Sequence, residues 1–327
     1  MKIIITGATG AFGGAIARYF HKAGHEIIAT GRSDSPPKEL LNIAKYIQAD
    51  ITKAFELPEA DLCIHAAALS DDKATPKELY APNVIGTKNV TEAAKHCKTF
   101  IFISSSSVYL PEESPITEEM AGKQKNKTLS AYGKSKLLSE KVLKENFKGE
   151  RCFILRPRAF YGPGDTQIMP RMMKLVKNDI FKRPGKMEIN LSMTHYYNIA
   201  HAIECCFQSK ITGINIYNVA DEEVYMLITT IRSLFKTIYG KTLNEKEINI
   251  NVLKTLALFK IGGVTPLLVR ALTKNMVLDI NKIKEEIGYS SIIKFDDSLQ
   301  EIKDWIDEIG GAKALFNGGT KEAWKAK

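Results

Sequence analysis

The chain has no Cys-x-x-Cys pair, no histidine or cysteine grouping at metal-ligand spacing, no internal repeat and no low-complexity tract. These absences exclude a zinc module and a repeat architecture, and no metal is expected. Cysteine is scarce and odd in number: Cys63, Cys97, Cys152, Cys205 and Cys206. Most lie in apolar strand-like or helical surroundings, so the expectation is buried, reduced thiols in a cytoplasmic protein rather than a disulfide scaffold. No signal peptide is expected ahead of the first strand. No uninterrupted apolar run is long enough to span a bilayer. The most apolar stretch, residues 252–272, is broken by Lys254, Lys260, Gly262, Gly263, Pro266 and Arg270, which excludes a membrane span. It reads as two short helices around a Gly/Pro break: packed core, a mobile apolar cover over a pocket, or a weak contact with a membrane surface.

Acid is the minority charge, with 37 acidic against 46 basic residues and a net charge of +9. The cations are spread along the chain and no basic helix is interleaved with aromatics, so no nucleic-acid partner is expected. One local excess, Arg171, Lys174, Lys177, Lys182, Arg183 and Lys186 against Asp179, fits either a solvated surface or a landing site for an anionic substrate handle such as phosphate or coenzyme A. Hydrophobic residues make up 44% and charged residues 25%, an ordinary globular balance that argues against extensive disorder.

What is present begins at the first residues. The apolar run Met1 to Ile5 leads without a break into Thr6-Gly7-Ala8-Thr9-Gly10-Ala11-Phe12-Gly13, and then into a helical pattern through Ala15, Ile16, Tyr19 and Phe20. Strand, tight turn, helix is the reading. Glycines let the backbone approach a pyrophosphate seated on the free N–H groups of the helix start. Arg32 falls about 20 residues on, where a ribose-reading residue belongs.

Strand-like and helical runs then alternate: Glu26 to Thr30, Tyr46 to Ala49, Leu62 to His65, a helix over about 75–96, Thr99 to Ile103, a helix over about 131–146, and Cys152 to Leu155. Such alternation with continuous apolar strands predicts an α/β fold, a doubly wound parallel (Rossmann) sheet covered on both faces. After Pro157 the pattern turns irregular, with helices expected near 167–178, 196–209 and 225–239. The expected division is a dinucleotide-binding domain over 1–157, a smaller mixed substrate lobe over 158–309, partly interleaved with the first, and a frayed tail over 310–327.

Tyr132 and Lys136 stand at i,i+4 spacing, which puts both on one helix face. A phenol titrates near 10 when free. A neighbouring ammonium favours the phenolate, so this tyrosine can exchange a proton with a carbonyl or alcohol near neutral pH. The strand Thr99 to Ile103 ends in Ser104-Ser105-Ser106-Ser107-Val108-Tyr109, which sets hydroxyls at the carboxyl edge where such folds bind ligands.

The glycine fingerprint, the serine strand end and the Tyr132/Lys136 pair occur in the order of the extended short-chain dehydrogenases/reductases, and the chain resembles that family over nearly its whole length. The resemblance implies a cofactor cradle of Gly7, Thr9, Gly10, Ala11, Phe12 and Gly13. It adds Asp50 and Ile51 at the adenine edge, Ala66, Ala67 and Ala68 beside the cofactor, Ser104, and Pro157, Ala159 and Phe160 at the nicotinamide carboxamide. Ser105 is implied as hydrogen-bond donor to the reacting oxygen, with Ser106 the fallback. Tyr132 is implied as general acid/base, and Lys136 as the group that lowers its pKa and holds the ribose. Ser106, Ser107 and Arg158 fall toward the substrate. Asn83 with Gly86-Thr87 resembles a structural helix signature, and His65 reads as structural. Arg32 with Ser33 at the second strand's end favours NADP over NAD, since a guanidinium fork suits a 2′-phosphate.

Ser106-Ser107 stand where sugar dehydratases of the family carry Asp-Glu, which speaks against dehydration. Leu155 to Asp165 (LRPRAFYGPGD) resembles the 3β-hydroxysteroid dehydrogenase-like branch, which includes reductases of 2-alkyl-3-keto acids. The expectation is a ketone reductase or alcohol dehydrogenase acting on a steroid-, lipid- or polyketide-like substrate. The alternatives are a nucleotide-sugar 4-epimerase or 4-ketoreductase, and a non-catalytic dinucleotide sensor. Expected partners are a small molecule, hydrophobic or carried on an anionic handle, and a second copy of the chain in a homodimer.

Overall fold

The computed structural model describes every residue except 72–73, 112–114, 124–128, 260, 262–263, 317–322 and 327. Seven strands form its main sheet: β1 (Lys2–Thr6), β2 (Glu26–Gly31), β3 (Ala44–Gln48), β4 (Leu62–His65), β5 (Thr99–Ile103), β6 (Arg151–Pro157) and β7 (Gly213–Val219). Their spatial order is β7-β6-β5-β4-β1-β2-β3, and all neighbours are parallel. Alternate side chains of one strand enter different cores. Ile3 and Ile5 join one hydrophobic cluster and Ile4 the other. Both faces are therefore covered, which is why the strands read as unbroken apolar runs. The order reverses between β1 and β4, and the crevice there is where doubly wound folds take ligands.

Helix α1 (Ala11–Lys22) leaves the β1 turn. The helix expected over 75–96 is interrupted: residues Pro76–Leu79 make one turn, Tyr80–Ile85 a π-turn, and α2 (Gly86–Ala93) follows. Pro82 has no N–H for an i→i−4 bond, and the wider turn accommodates it. Helix α3 (Ala131–Asn146) matches its expected span and is capped by Ser130, whose Oγ accepts from Gly133 N at 3.0 Å.

The second lobe is mixed and has its own apolar core, built around Met169, Phe181, Phe235, Ile302 and Trp305. Three short pairings tie it together: Phe160–Tyr161 with Thr194–His195, Asn190–Leu191 with Tyr225–Met226, and a three-stranded sheet from Val176–Lys177, Ile180–Pro184 and Asn244–Ile248. Helix α4 (Tyr196–Gln208) packs back on α1. The expected helix over 167–178 stops at Met173. Asn178 and Asp179 both take positive φ, 52° and 59°, a conformation that Asn and Asp tolerate best, and the chain reverses there into a hairpin. Strand β7 extends the main sheet from within residues 158–309, pairing in parallel with β6.

The expectation of a frayed tail does not hold for its last described residues. Ala323, Trp324 and Ala326 are buried. The Trp324 indole N–H donates to Thr9 O at 3.2 Å, and Arg18 lies 5.1 Å over its ring. All five cysteines are free and buried. Helices α5 (Ile250–Leu258) and α6 (Pro266–Thr273) flank the expected Gly/Pro break. Lys260, Gly262 and Gly263 lie outside the described residues.

Candidate active site

The glycine turn is built for close approach. Gly7 has φ +72°, and a Cβ on it would lie 2.8 Å from Ala67 Cα; one on Gly13 would lie 2.4 Å from Gly7 O. The turn therefore packs against the small residues after β4, with Ala67 N donating to Thr6 Oγ1 at 3.2 Å. Helix α1 has Gly10 as its N-cap, with no side-chain cap and no acidic residue in its first turn. Its first N–H groups are left to an anion, with the positive end of the helix dipole behind them. A pyrophosphate fits this cradle. Phe12 leans on Phe160 and Tyr196, at ring distances of 5.1 and 5.8 Å, and so joins the glycine turn to the second lobe.

Across the cradle, Arg32 is exposed at the end of β2 and its carbonyl accepts from Gln48 Nε2 at 3.2 Å. Ser33 O accepts from Tyr46 Oη at 2.8 Å. Asp50 Oδ1 accepts from the N–H and hydroxyl of Thr52, which hold its carboxyl below the ordinary range, with Lys53 and Arg32 adding to the effect. Asn89 ties Ile51 O at 2.8 Å. These contacts fix the backbone and leave the Arg32 guanidinium facing solvent.

The serine run and the Tyr132–Lys136 turn are in direct contact. A Cβ on Gly133 would lie 2.1 Å from Ser107 O, so only glycine lets the first turn of α3 sit on the serine turn. Ser105 Oγ donates to Ser107 Oγ at 3.0 Å and accepts from Ser107 N at 3.1 Å. Lys136 Nζ donates to Ile103 O at 2.8 Å and stacks 4.7 Å over the Phe102 ring. Burial lowers the Lys136 ammonium to about 7, while Glu140 one turn on pulls it upward. Tyr132 is partly exposed at the helix start. One stripe of α3 thus spans the end of β5.

Ser104 turns the other way. Its hydroxyl donates to Glu140 Oε1 at 2.6 Å, so only its backbone is left toward a cofactor. Glu140 also receives Arg156 through Nε at 2.9 Å and Nη2 at 2.6 Å, and Arg156 Nη1 reaches Tyr109 Oη and Glu118 O. Asn83 accepts from Leu69 N and donates to Leu69 O and Ser135 Oγ, clamping the loop after β4 to α3. His65 sits between Thr6 and Thr87 hydroxyls, and burial lowers it to about 3; it is a neutral structural residue. Arg158 follows Pro157, and its backbone N–H and C=O both engage Thr194 Oγ1. Burial lowers its guanidinium to about 10, and its Nε has no partner. Ala159 beside it has φ 42°. In the basic cluster, Arg183 is bound by Glu245 and Glu247 and Lys174 lies over Phe316, which favours a structured surface over an anion site.

Gly133 and Glu140 escaped the sequence reading. Glu140 had a usable signal: Tyr132, Lys136 and Glu140 form one i,i+4 stripe. Gly133 had only its place beside Tyr132.

Fold and site together define a dinucleotide-dependent oxidoreductase of the extended short-chain type. The chain belongs to the NAD dependent epimerase/dehydratase family, whose model matches residues 3–220. It is 27% identical over 222 residues to the 2-alkyl-3-oxoalkanoate reductase of Stenotrophomonas maltophilia, covering 65% of this chain and 67% of that protein. It is 25% identical over 283 residues to the sterol-4-alpha-carboxylate 3-dehydrogenase (decarboxylating) of Candida albicans, covering 79% and 80%. Among solved structures, the UDP-glucuronic acid 4-epimerase of Bacillus cereus in complex with NAD shares the fold with a TM-score of 0.74, at 21% identity and coverage of 97% and 100%.

Proposed function

We propose that this protein transfers hydride between NADP(H) and a ketone or secondary alcohol on a hydrophobic, lipid- or steroid-like substrate in a reducing, cytoplasmic setting. The observation that carries the reading is the packing of the Tyr132–Lys136 turn on the Ser105–Ser107 turn through Gly133. When bound, the dinucleotide supplies or takes the hydride. The uncapped start of α1, Gly7 to Gly13, and the Ala66–Ala68 stretch hold its pyrophosphate side, Asp50 and Ile51 its adenine edge, and Pro157, Ala159 and Phe160 its carboxamide. Ser105 donates to the substrate oxygen, exchanging its bond to Ser107 for one to the oxygen as negative charge develops there. Tyr132 moves the proton to or from that oxygen. Lys136, when charged, favours the phenolate. Ser106, Ser107 and Arg158 face the rest of the substrate. The names of the reductase and sterol dehydrogenase relatives support a ketone or alcohol on an aliphatic or sterol frame.

The test is turnover of NADPH with 2-alkyl-3-oxo acids of increasing chain length, beside steroids and UDP-sugars. Stoichiometric NADPH oxidation, with KM falling as the chain lengthens, is the expected result. Interconversion of a UDP-sugar without net NADPH consumption would instead make the protein an epimerase, which regenerates its cofactor each cycle.

Cofactor choice has its own check. Arg32 can pair with a 2′-phosphate, and a charge-assisted contact of that kind contributes about 1.5–3 kcal/mol. NADPH should bind roughly 10- to 100-fold more tightly than NADH, and Arg32→Asp should reverse the order. Calorimetry showing equal or tighter NADH binding by the parent protein removes Arg32 from this role.

A further inference from the structure

Six of the sixteen large apolar side chains exposed among the described residues fall within one short stretch: Val252, Leu258, Phe259, Ile261, Leu267 and Leu268. Leu258 and Phe259 are 77% and 71% exposed, while Ala257, Val269 and Leu272 of the same two helices face inward and are buried. Helices α5 and α6 pack on one another, so each has one edge in the protein and an apolar edge outside it. This is the 252–272 stretch for which packed core was one expectation, and its outer edge is not core. At nine and eight residues the helices are far too short to cross a bilayer, and no described helix can.

The charge within this segment has one sign. Between Glu247 and Asp279 the sequence contains no acidic residue, while Lys254 and Lys274 are exposed and Arg270 is half-buried. A second copy covering the same edge about a two-fold axis would bring two basic faces together. An anionic bilayer surface complements it: apolar side chains enter the headgroup boundary and lysines meet lipid phosphates. Both ends of the pair are anchored. Gly185 N donates to Ile248 O at 2.9 Å just before α5, and after α6 Met276 N donates to Asn190 O at 2.9 Å. Met276 and Leu278 then pack with Val108 and Tyr109, immediately after the serine run.

We propose that the α5–α6 edge docks this protein on the surface of an anionic phospholipid bilayer. The proposal stands on this surface alone and does not depend on the hydride-transfer reading. It is tested by sedimenting the purified full-length chain with vesicles of phosphatidylcholine alone and of equimolar phosphatidylcholine and phosphatidylglycerol. The chain should sediment with the mixed vesicles, less so as salt rises, and only weakly with phosphatidylcholine. Leu258→Asp with Phe259→Asp should lower the bound fraction on the order of tenfold or more. Lys254→Glu with Lys274→Glu should lower it comparably, for the anionic vesicles only. All four side chains are exposed, so the circular dichroism spectrum and thermal unfolding should match the parent. Failure to sediment with mixed vesicles overturns the proposal, as does binding that the Asp pair leaves unchanged. A dimer in light scattering that the Asp pair dissociates, without vesicle binding, assigns the edge to a second copy and equally overturns it.

Discussion

Tyr132→Phe is expected to lower kcat by roughly 10²–10⁴, the span for losing a positioned general acid/base, while NADPH affinity stays within a few-fold of the parent. In the proposed mechanism the phenol acts on the substrate's oxygen and contributes little to holding the dinucleotide in the ground state. Ser105→Ala is expected to cost roughly 10²–10³ in kcat, the range for removing one donor from a developing oxyanion. The structure adds a reason for the two effects to be coupled. Ser105 and Ser107 are bonded to each other, and Gly133 seats α3 on Ser107 O, so the hydroxyl and the phenol share one support. Single-turnover rates with fluorescence titration of NADPH separate the steps. A Tyr132→Phe protein that loses NADPH binding as severely as Lys136→Ala would show that the tyrosine holds cofactor rather than moving the proton. A larger defect in Ser106→Ala than in Ser105→Ala would shift the donor by one residue.

How much of this was legible in the sequence depends on how local the determining physics is. The β1–turn–α1 unit is written in consecutive residues: a β-branched strand, glycines where the backbone must approach, then a helical period. Helix α3 was legible because Tyr132 and Lys136 repeat at i,i+4 within it, and the structure shows Ser130 capping its start. The helix over 167–178 was overdrawn because its apolar period persists past Met173, while the turn at Asn178-Asp179 is decided by two residues. Strand β7 was not placed in the sheet, since its partner β6 lies about sixty residues earlier and nothing near Gly213 names it. Trp324 was lost for the same reason. Its partners, Thr9 and Arg18, sit at the other end of the chain, and a Gly- and Lys-rich flank reads as frayed. In the site, residue types and their order were readable. What the sequence withheld was which way each side chain turns, as with Ser104, whose hydroxyl belongs to Glu140.

Glu140 is the residue whose loss should be felt most in stability. It and Arg156 are each about 3% exposed, and the pair closes at 2.6 Å. Burial alone would pull the guanidinium's pKa down, but Glu140's hydrogen bonds and charge more than offset it and hold Arg156 above its usual value. Glu140→Ala leaves that cation buried without its counter-ion, and the expected cost is about 3–5 kcal/mol in urea denaturation. Glu140→Ala combined with Arg156→Met should recover much of the loss, because the second change removes the stranded charge. If the double variant is as unstable as the two single losses added together, the pair is not coupled and this account of the network is wrong. The same carboxylate also acts on Lys136, whose ammonium burial lowers to about 7 and Glu140 pulls upward. Under the proposed mechanism Lys136 assists Tyr132 only while protonated, so activity should fall as pH rises through its pKa. Without Glu140 that pKa drops further, and in whatever fraction of Glu140→Ala remains folded, the alkaline limb of the kcat profile should move to lower pH. Arg156→Met with Glu140 retained should move that limb upward or leave it in place, because the carboxylate is then freed to act on Lys136 alone. An alkaline limb unchanged by Glu140→Ala would confine Glu140 to holding Ser104 and β6, with no part in setting the charge beside the tyrosine.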